Sequence, residues 1–188
     1  MKPGFHDLVL DAQSCFRAAM EAMARPGRVQ EIPPTEGLPN GLEPAAAALL
    51  LTLVDADTPL WTDAGEEARG WIAFHCGAPL VRPGEAGFAL VTGALPPLSR
   101  FRDGSDEAPQ DGATVIVQVQ DLVPGEGWRL SGPGIETKHR LRVNGLPEGF
   151  VASWEARRGT FPRGMDLFLC SGTRLAAMPR TVRIEESV

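Results

Sequence analysis

The densest group of chemically capable side chains is Lys138, His139 and Arg140, with Arg142 two residues on and Gly132-Pro133-Gly134 just before. Positive charge beside a glycine-rich turn can hold an oxyanion, the backbone N–H groups and the cations sharing its charge. The same run also reads as a solvated turn and strand edge, since short basic stretches commonly serve solubility. Neither a helix start nor a phosphate loop of the G-x4-G-K-[ST] type accompanies it.

Other candidates are sparser. Asp55 and Asp57 form a D-x-D that could offer oxygen ligands to a divalent cation, or could end a helix and open a turn before Thr58-Pro59. His75-Cys76 is the one adjacent pair of soft ligands, without the close C-x2-C or H-x3-H partners of a zinc site. Arg163, Arg174 and Arg180 could turn guanidinium forks toward phosphate or a carboxylate. A Schiff-base cofactor would need a desolvated lysine, and the chain offers only Lys2 and Lys138. There is no G-x-S-x-G nucleophile elbow. No catalytic set, resident metal or cofactor is expected from these residues.

The elements that would carry these groups can be read from periodicity. Asp11 to Ala24 places Ala12, Cys15, Phe16, Ala19, Met20 and Met23 at helical spacing opposite Arg17 and Glu21, with Pro26-Gly27 as the stop. Glu43-Pro44 opens a second helix that is apolar on every face and belongs inside. A third helix is expected from Gly65 to His75. Strands are expected at Val29 to Ile32, Thr58 to Thr62, Pro79 to Arg82, Phe88 to Thr92, Thr114 to Gln120 and Trp128 to Ser131. Leu167 to Thr181 reads as a hairpin about Ser171-Gly172-Thr173. Early alternation and late strand enrichment predict one α/β domain over residues 1–188, with a mixed sheet packed by helices.

Composition narrows the function. A net charge of -6, from 24 acidic and 18 basic residues, argues against a broad nucleic-acid surface. The longest nearly uninterrupted apolar run, Ala45 to Val54, is far short of a membrane span, and no signal peptide is expected behind Lys2. Cys15, Cys76 and Cys170 are odd in number and widely spaced, which fits reduced thiols in a cytoplasmic protein. Trp61, Trp71, Trp128 and Trp154 read as core packing or as interface anchors.

Several stretches recur together in one family. They are FPRGMDLFLCSGTRLAAMPRTVRIEE from Phe161 to Glu186, Asp11-Ala12-Gln13, Phe16-Arg17, Ala22-Met23, Pro26-Gly27 and LLLTLVDADTPLW from Leu49 to Trp61. Phe74-His75, Ala78-Pro79-Leu80-Val81, GATVIVQV from Gly112 and RLSGPGI from Arg129 continue the series. In this order they resemble the H subunit of the bacterial carbon-phosphorus lyase core complex of phosphonate catabolism.

The resemblance implies a fold similar to the large domain of pyridoxal-phosphate-dependent transferases, without the cofactor. It implies an accessory and assembly subunit, homodimeric when isolated, with the core subunits G, I and J and ATP-binding subunits as partners. Together with the G, I and L proteins such a subunit supports transfer of a phosphonate to the ribose of ATP. Adenine is released and a ribose 1-phosphonate 5-triphosphate results. The resemblance also implies that the nucleosidase or transferase centre of that system lies in the I subunit, and that the H subunit belongs to a transferase without a catalytic centre of its own. The alternative is a phosphate- or nucleotide-binding enzyme subunit using Lys138, His139 and Arg140. A pyridoxal-phosphate protein retaining an ancestral activity is the third reading.

Overall fold

The computed structural model describes residues 4–186, so Lys2 lies outside the described residues. Helix α1 (Leu10–Ala24) begins where Asp7 accepts the N–H groups of Val9 and Leu10 at 2.9 Å each. Those two bonds satisfy donors that the first turn leaves open, and they hold the Asp7 carboxyl below its ordinary value. Only Cys15, Ala19 and Ala22 of α1 are fully buried, while Phe16 and Met20, expected on the inner face, are exposed. Small residues line the buried stripe because α1 packs closely on the next helix.

That helix, α2 (Pro44–Leu53), places Pro at its first position, where no N–H is needed. Ala45 to Leu50 are all buried, which explains why no polar face was visible in the sequence. Strand β1 (Gln30–Glu31) precedes α2. Strand β2 (Leu60–Thr62), helix α3 (Glu66–His75) and strand β3 (Phe88–Val91) follow as a parallel crossover unit. The strand expected at Pro79 to Arg82 reduces to one bridge between Leu80 and Leu60, because Pro79 and Pro83 leave too few backbone donors for a ladder.

With β4 (Thr114–Gln118), β7 (Asp166–Ser171) and β8 (Arg174–Met178) these strands form a six-stranded sheet, ordered β1-β8-β7-β4-β3-β2. Strands β2, β3, β4 and β7 run parallel, whereas β7 with β8 and β8 with β1 are antiparallel. The closing hairpin of the sequence is thus β7 and β8, turning at Gly172 and Thr173. Its turn is clasped to α2: Ala45 N–H donates to the Gly172 carbonyl at 2.8 Å, and Gly172 N–H to the Glu43 carboxylate at 2.7 Å.

A second sheet was not separable in the sequence. Strand β5 (Asp121–Ser131) pairs with β6 (His139–Asn144) and β9 (Arg183–Glu185) in the order β6-β5-β9. The expected Trp128–Ser131 strand is the end of β5, whose earlier part is masked in the sequence by Pro124, Gly125 and Gly127 around a register shift. Helix α4 (Phe150–Ala156) covers this sheet.

Side-chain alternation across the large sheet divides the interior in two. Leu90, Ile116, Phe168, Cys170, Leu175 and Ala177 face α1 to α3. Val91, Val115, Val117, Leu169, Ala176 and Met178 face the small sheet and α4. Each face is sealed by a different layer, so the near-continuous apolar strands are buried on both sides, as parallel sheets require.

Candidate functional site

The basic run does not converge on one point. Lys138 pairs with Glu185 at 3.0 Å, both side chains well exposed, and its hydrogen bond holds the Glu185 carboxyl below its usual value. His139 Nδ1 lies 2.8 Å from the Pro26 carbonyl, a contact that fixes its proton on Nδ1 and ties β6 to the end of α1. Arg140 follows His139 on β6 and therefore points to the opposite face, exposed. The Gly132-Pro133-Gly134 turn folds back toward α1, with Gly134 against the Ala24 carbonyl and Pro26, so its contacts are with the end of that helix rather than with Lys138 or Arg140.

Asp55 ends α2 in a side-chain turn. One carboxylate oxygen accepts Asp57 N–H at 3.0 Å and the Thr58 hydroxyl at 2.7 Å, and these bonds lower its carboxyl, the hydroxyl contact most. Cys76 is buried and desolvation raises its thiol to about 11, while the His75 ring lies among Trp71 and Phe74 with its own basicity lowered by burial. Among the described residues, no three His, Cys, Asp or Glu side chains gather as a metal site. Lys138, the one described lysine, is exposed and ion-paired, and so lacks the desolvation that a Schiff-base lysine needs.

The terminal arginines bind carboxylates of this chain. Arg180 forks onto Asp166 through Nε at 3.2 Å and Nη2 at 2.7 Å, and Nη1 reaches the Pro109 carbonyl at 2.6 Å. Arg174 joins Asp121 at 2.7 Å and the Leu122 carbonyl at 3.0 Å, tying β8 to β5. Arg163 pairs with Asp106 at 3.2 Å. Tryptophan placement is mixed: Trp71 and Trp154 are buried, whereas Trp61 is half-buried against Phe101.

Two concavities, of about 340 and 450 Å³, carry polar or charged lining groups outside the basic run. At the carboxyl ends of the parallel strands, where open α/β sheets commonly take ligands, Glu43, Thr92, Gln118 and Gln120 line a crevice of about 340 Å³. Its polar groups are largely spent on one another: Asp63 holds the N–H groups of Thr92 and Gly93 at 2.7 and 3.0 Å, and Gln118 bridges Glu43 N–H and the Gly41 carbonyl at 2.8 and 2.9 Å. At the opposite side Arg158, Arg180 and Arg183 surround a cleft of about 450 Å³. The sequence reading singled out Arg180 but passed over Arg158 and Arg183. Nothing local marks either one, because the sites meet only when α4 packs beside β9.

Among the described residues, these arrangements gather guanidinium, carboxylate and amide groups that can bind and orient charge. Residues 3–185 match the family described as bacterial phosphonate metabolism protein (PhnH). Over 187 residues the chain is 37% identical to the alpha-D-ribose 1-methylphosphonate 5-triphosphate synthase subunit PhnH of Rhizobium meliloti (strain 1021), covering 96% of this chain and 94% of that one. It is 35% identical over 176 residues to HtxG of Stutzerimonas stutzeri, named as a C-P lyase subunit, covering 92% and 85%. With the match running through both sheets and all four helices, the chain belongs to the PhnH family of bacterial phosphonate metabolism proteins.

Proposed function

We propose that this chain is the accessory and assembly subunit of an alpha-D-ribose 1-methylphosphonate 5-triphosphate synthase in phosphonate degradation. The observation that carries the reading is 37% identity across 96% of the chain to a subunit of that name. The proposed partners are the G, I and J core subunits and ATP-binding subunits, in the cytoplasm. Catalysis by the assembly then rests on a centre in another subunit, with this chain shaping or closing the complex. Co-expression of tagged chain with the other core subunits should yield one co-eluting assembly. Assembly of the other subunits in full, with this chain left behind, would overturn the proposal.

The isolated chain is proposed to be a homodimer. Its support is an exposed apolar face on α1, where Phe16 and Met20 are 48% and 57% exposed. The mixed, largely parallel sheet with α1 to α3 on one face and the small sheet and α4 on the other also supports kinship with the large domain of pyridoxal-phosphate-dependent transferases. Incubation with pyridoxal phosphate is expected to give no Schiff-base absorbance, because Lys138 is solvated and paired with Glu185.

A further inference from the structure

The cleft of about 450 Å³ beside β9 is lined by Arg158, Arg180 and Arg183, the hydroxyl residues Ser131 and Thr181, and Phe161, with Gly132 and Pro133 completing it. No Asp or Glu is among its lining residues, although acids outnumber bases 24 to 18 in the sequence. Three guanidinium groups around one concavity repel each other unless anions intervene, and the chain provides those anions unequally.

Arg180 is immobilised by Asp166 and the Pro109 carbonyl and serves as a fixed wall. Arg158 spends one nitrogen on Glu155 at 3.1 Å, and the other oxygen of Glu155 accepts Ile184 N–H at 2.6 Å. The Arg158 head is thereby anchored to β9 with most of its donors unspent. The side chain of Arg183 makes no hydrogen bond or ion pair among the described residues, and neither do the hydroxyls of Ser131 and Thr181. Ser131 and Arg183 are direct neighbours across the β5–β9 ladder, so a hydroxyl and a guanidinium open into the cleft from one rigid rung. Phe161 stands at the margin with 67% of its surface exposed, an unusual cost for a ring that serves only packing.

We propose that this cleft is a binding site for a small organic phosphate-type oxyanion, its charged end on Arg183 and Arg158 and its ring or apolar body against Phe161. Guanidinium forks match the geometry of such oxyanions, and a flat aromatic face offers contact area that an ordinary counter-ion would not use. The volume falls within the range of small-molecule sites. The glycine turn that the sequence reading joined to Lys138, His139 and Arg140 thus contributes to an anion site with different cations.

The test uses the full chain alone, so its outcome is independent of co-purification with other subunits. Calorimetric titrations with phenyl phosphate and with inorganic phosphate are compared at low ionic strength. Both probes are expected to bind, phenyl phosphate more tightly. Arg183→Ala removes an exposed, unpaired side chain and is expected to weaken both probes about 10-fold or more, the loss of charge-assisted bonds. Phe161→Ala should weaken phenyl phosphate selectively, by about 5-fold. Arg17→Ala, on α1 and outside the cleft lining, is the control and should change neither. Failure of both probes to saturate, equal affinity in wild type and Arg183→Ala, or an equal loss in Arg17→Ala would each overturn the site. Loss with Arg183→Ala but not with Phe161→Ala would keep the oxyanion and overturn the role of the ring.

Discussion

Cys76 and Cys170 show how burial alone sets reactivity. Desolvation pushes the Cys76 thiol up to about 11, and Cys170, wholly enclosed, is raised well above its ordinary value by desolvation first and by the nearby Glu43 charge second. At a pH below the ordinary thiol value, Cys76 holds roughly 100-fold less thiolate than an unperturbed thiol. Native protein should therefore react slowly with a thiol reagent at about pH 8 and rapidly in urea, with Cys170 last. Rapid native labelling of Cys170 would contradict its enclosure. The same shifts bear on stability. Because the folded thiols keep their protons to higher pH, their contribution is complete below the unfolded value of ~8.5 and is lost progressively as pH rises from there through the folded value, about 11 for Cys76. Burial of these cysteines was legible from their apolar neighbours. The roles of Arg163, Arg174 and Arg180 were not, because their acceptors, Asp106, Asp121 and Asp166, lie 57, 53 and 14 residues away in sequence. An arginine offered for phosphate and one forked onto its own chain's carboxylate look identical until long-range packing is known.

Among the elements, the contact between the β5–β6 turn and the end of α1 is a tight one not visible in the sequence. Gly134 has φ +82, and an added Cβ would sit 2.0 Å from the Ala24 carbonyl oxygen. Gly125 has nearly the same backbone, φ +84, with nothing within 4 Å. Gly125→Ala should thus cost only the left-handed conformation, about 1 kcal/mol, whereas Gly134→Ala should cost about 2 kcal/mol more by pushing the turn off α1. Urea denaturation midpoints of the two variants measure the difference, and equal midpoints would show that the contact gives way freely. The helices α1, α2 and α3 were readable because apolar spacing, Pro44 and Pro26-Gly27 are local signals. Strands β6 and β9 and helix α4 were not, since charges alternate through His139–Asn144 and α4 is only seven residues long. Their order comes from packing on Leu122, Leu130 and Leu141, which share one core.

For the whole molecule, the exposed face of α1 is the feature that a lone chain leaves unused. Val9, Gln13, Phe16 and Met20 recur at helical spacing on the outer side, and Phe74 of α3 is 63% exposed as well. Phe16→Glu combined with Met20→Glu should leave chain stability within about 1 kcal/mol, because neither side chain is in the core. If the proposed dimer forms through this face, sedimentation equilibrium should show the pair of substitutions converting it to monomer; a wild-type monomer would overturn the dimer, and a dimer that persists in the variant would place the contact elsewhere. The ends of the two sheets constrain any such association further. The outermost strands β1, β2 and β9 are two or three residues long, too short to template another chain's backbone. The one long border, β6, carries Arg140 and Arg142 among its outward positions. The basic run first met as a candidate ligand site thus has a protective consequence: it guards an open border against strand addition, and partners must recognise this protein through side chains rather than through a shared sheet.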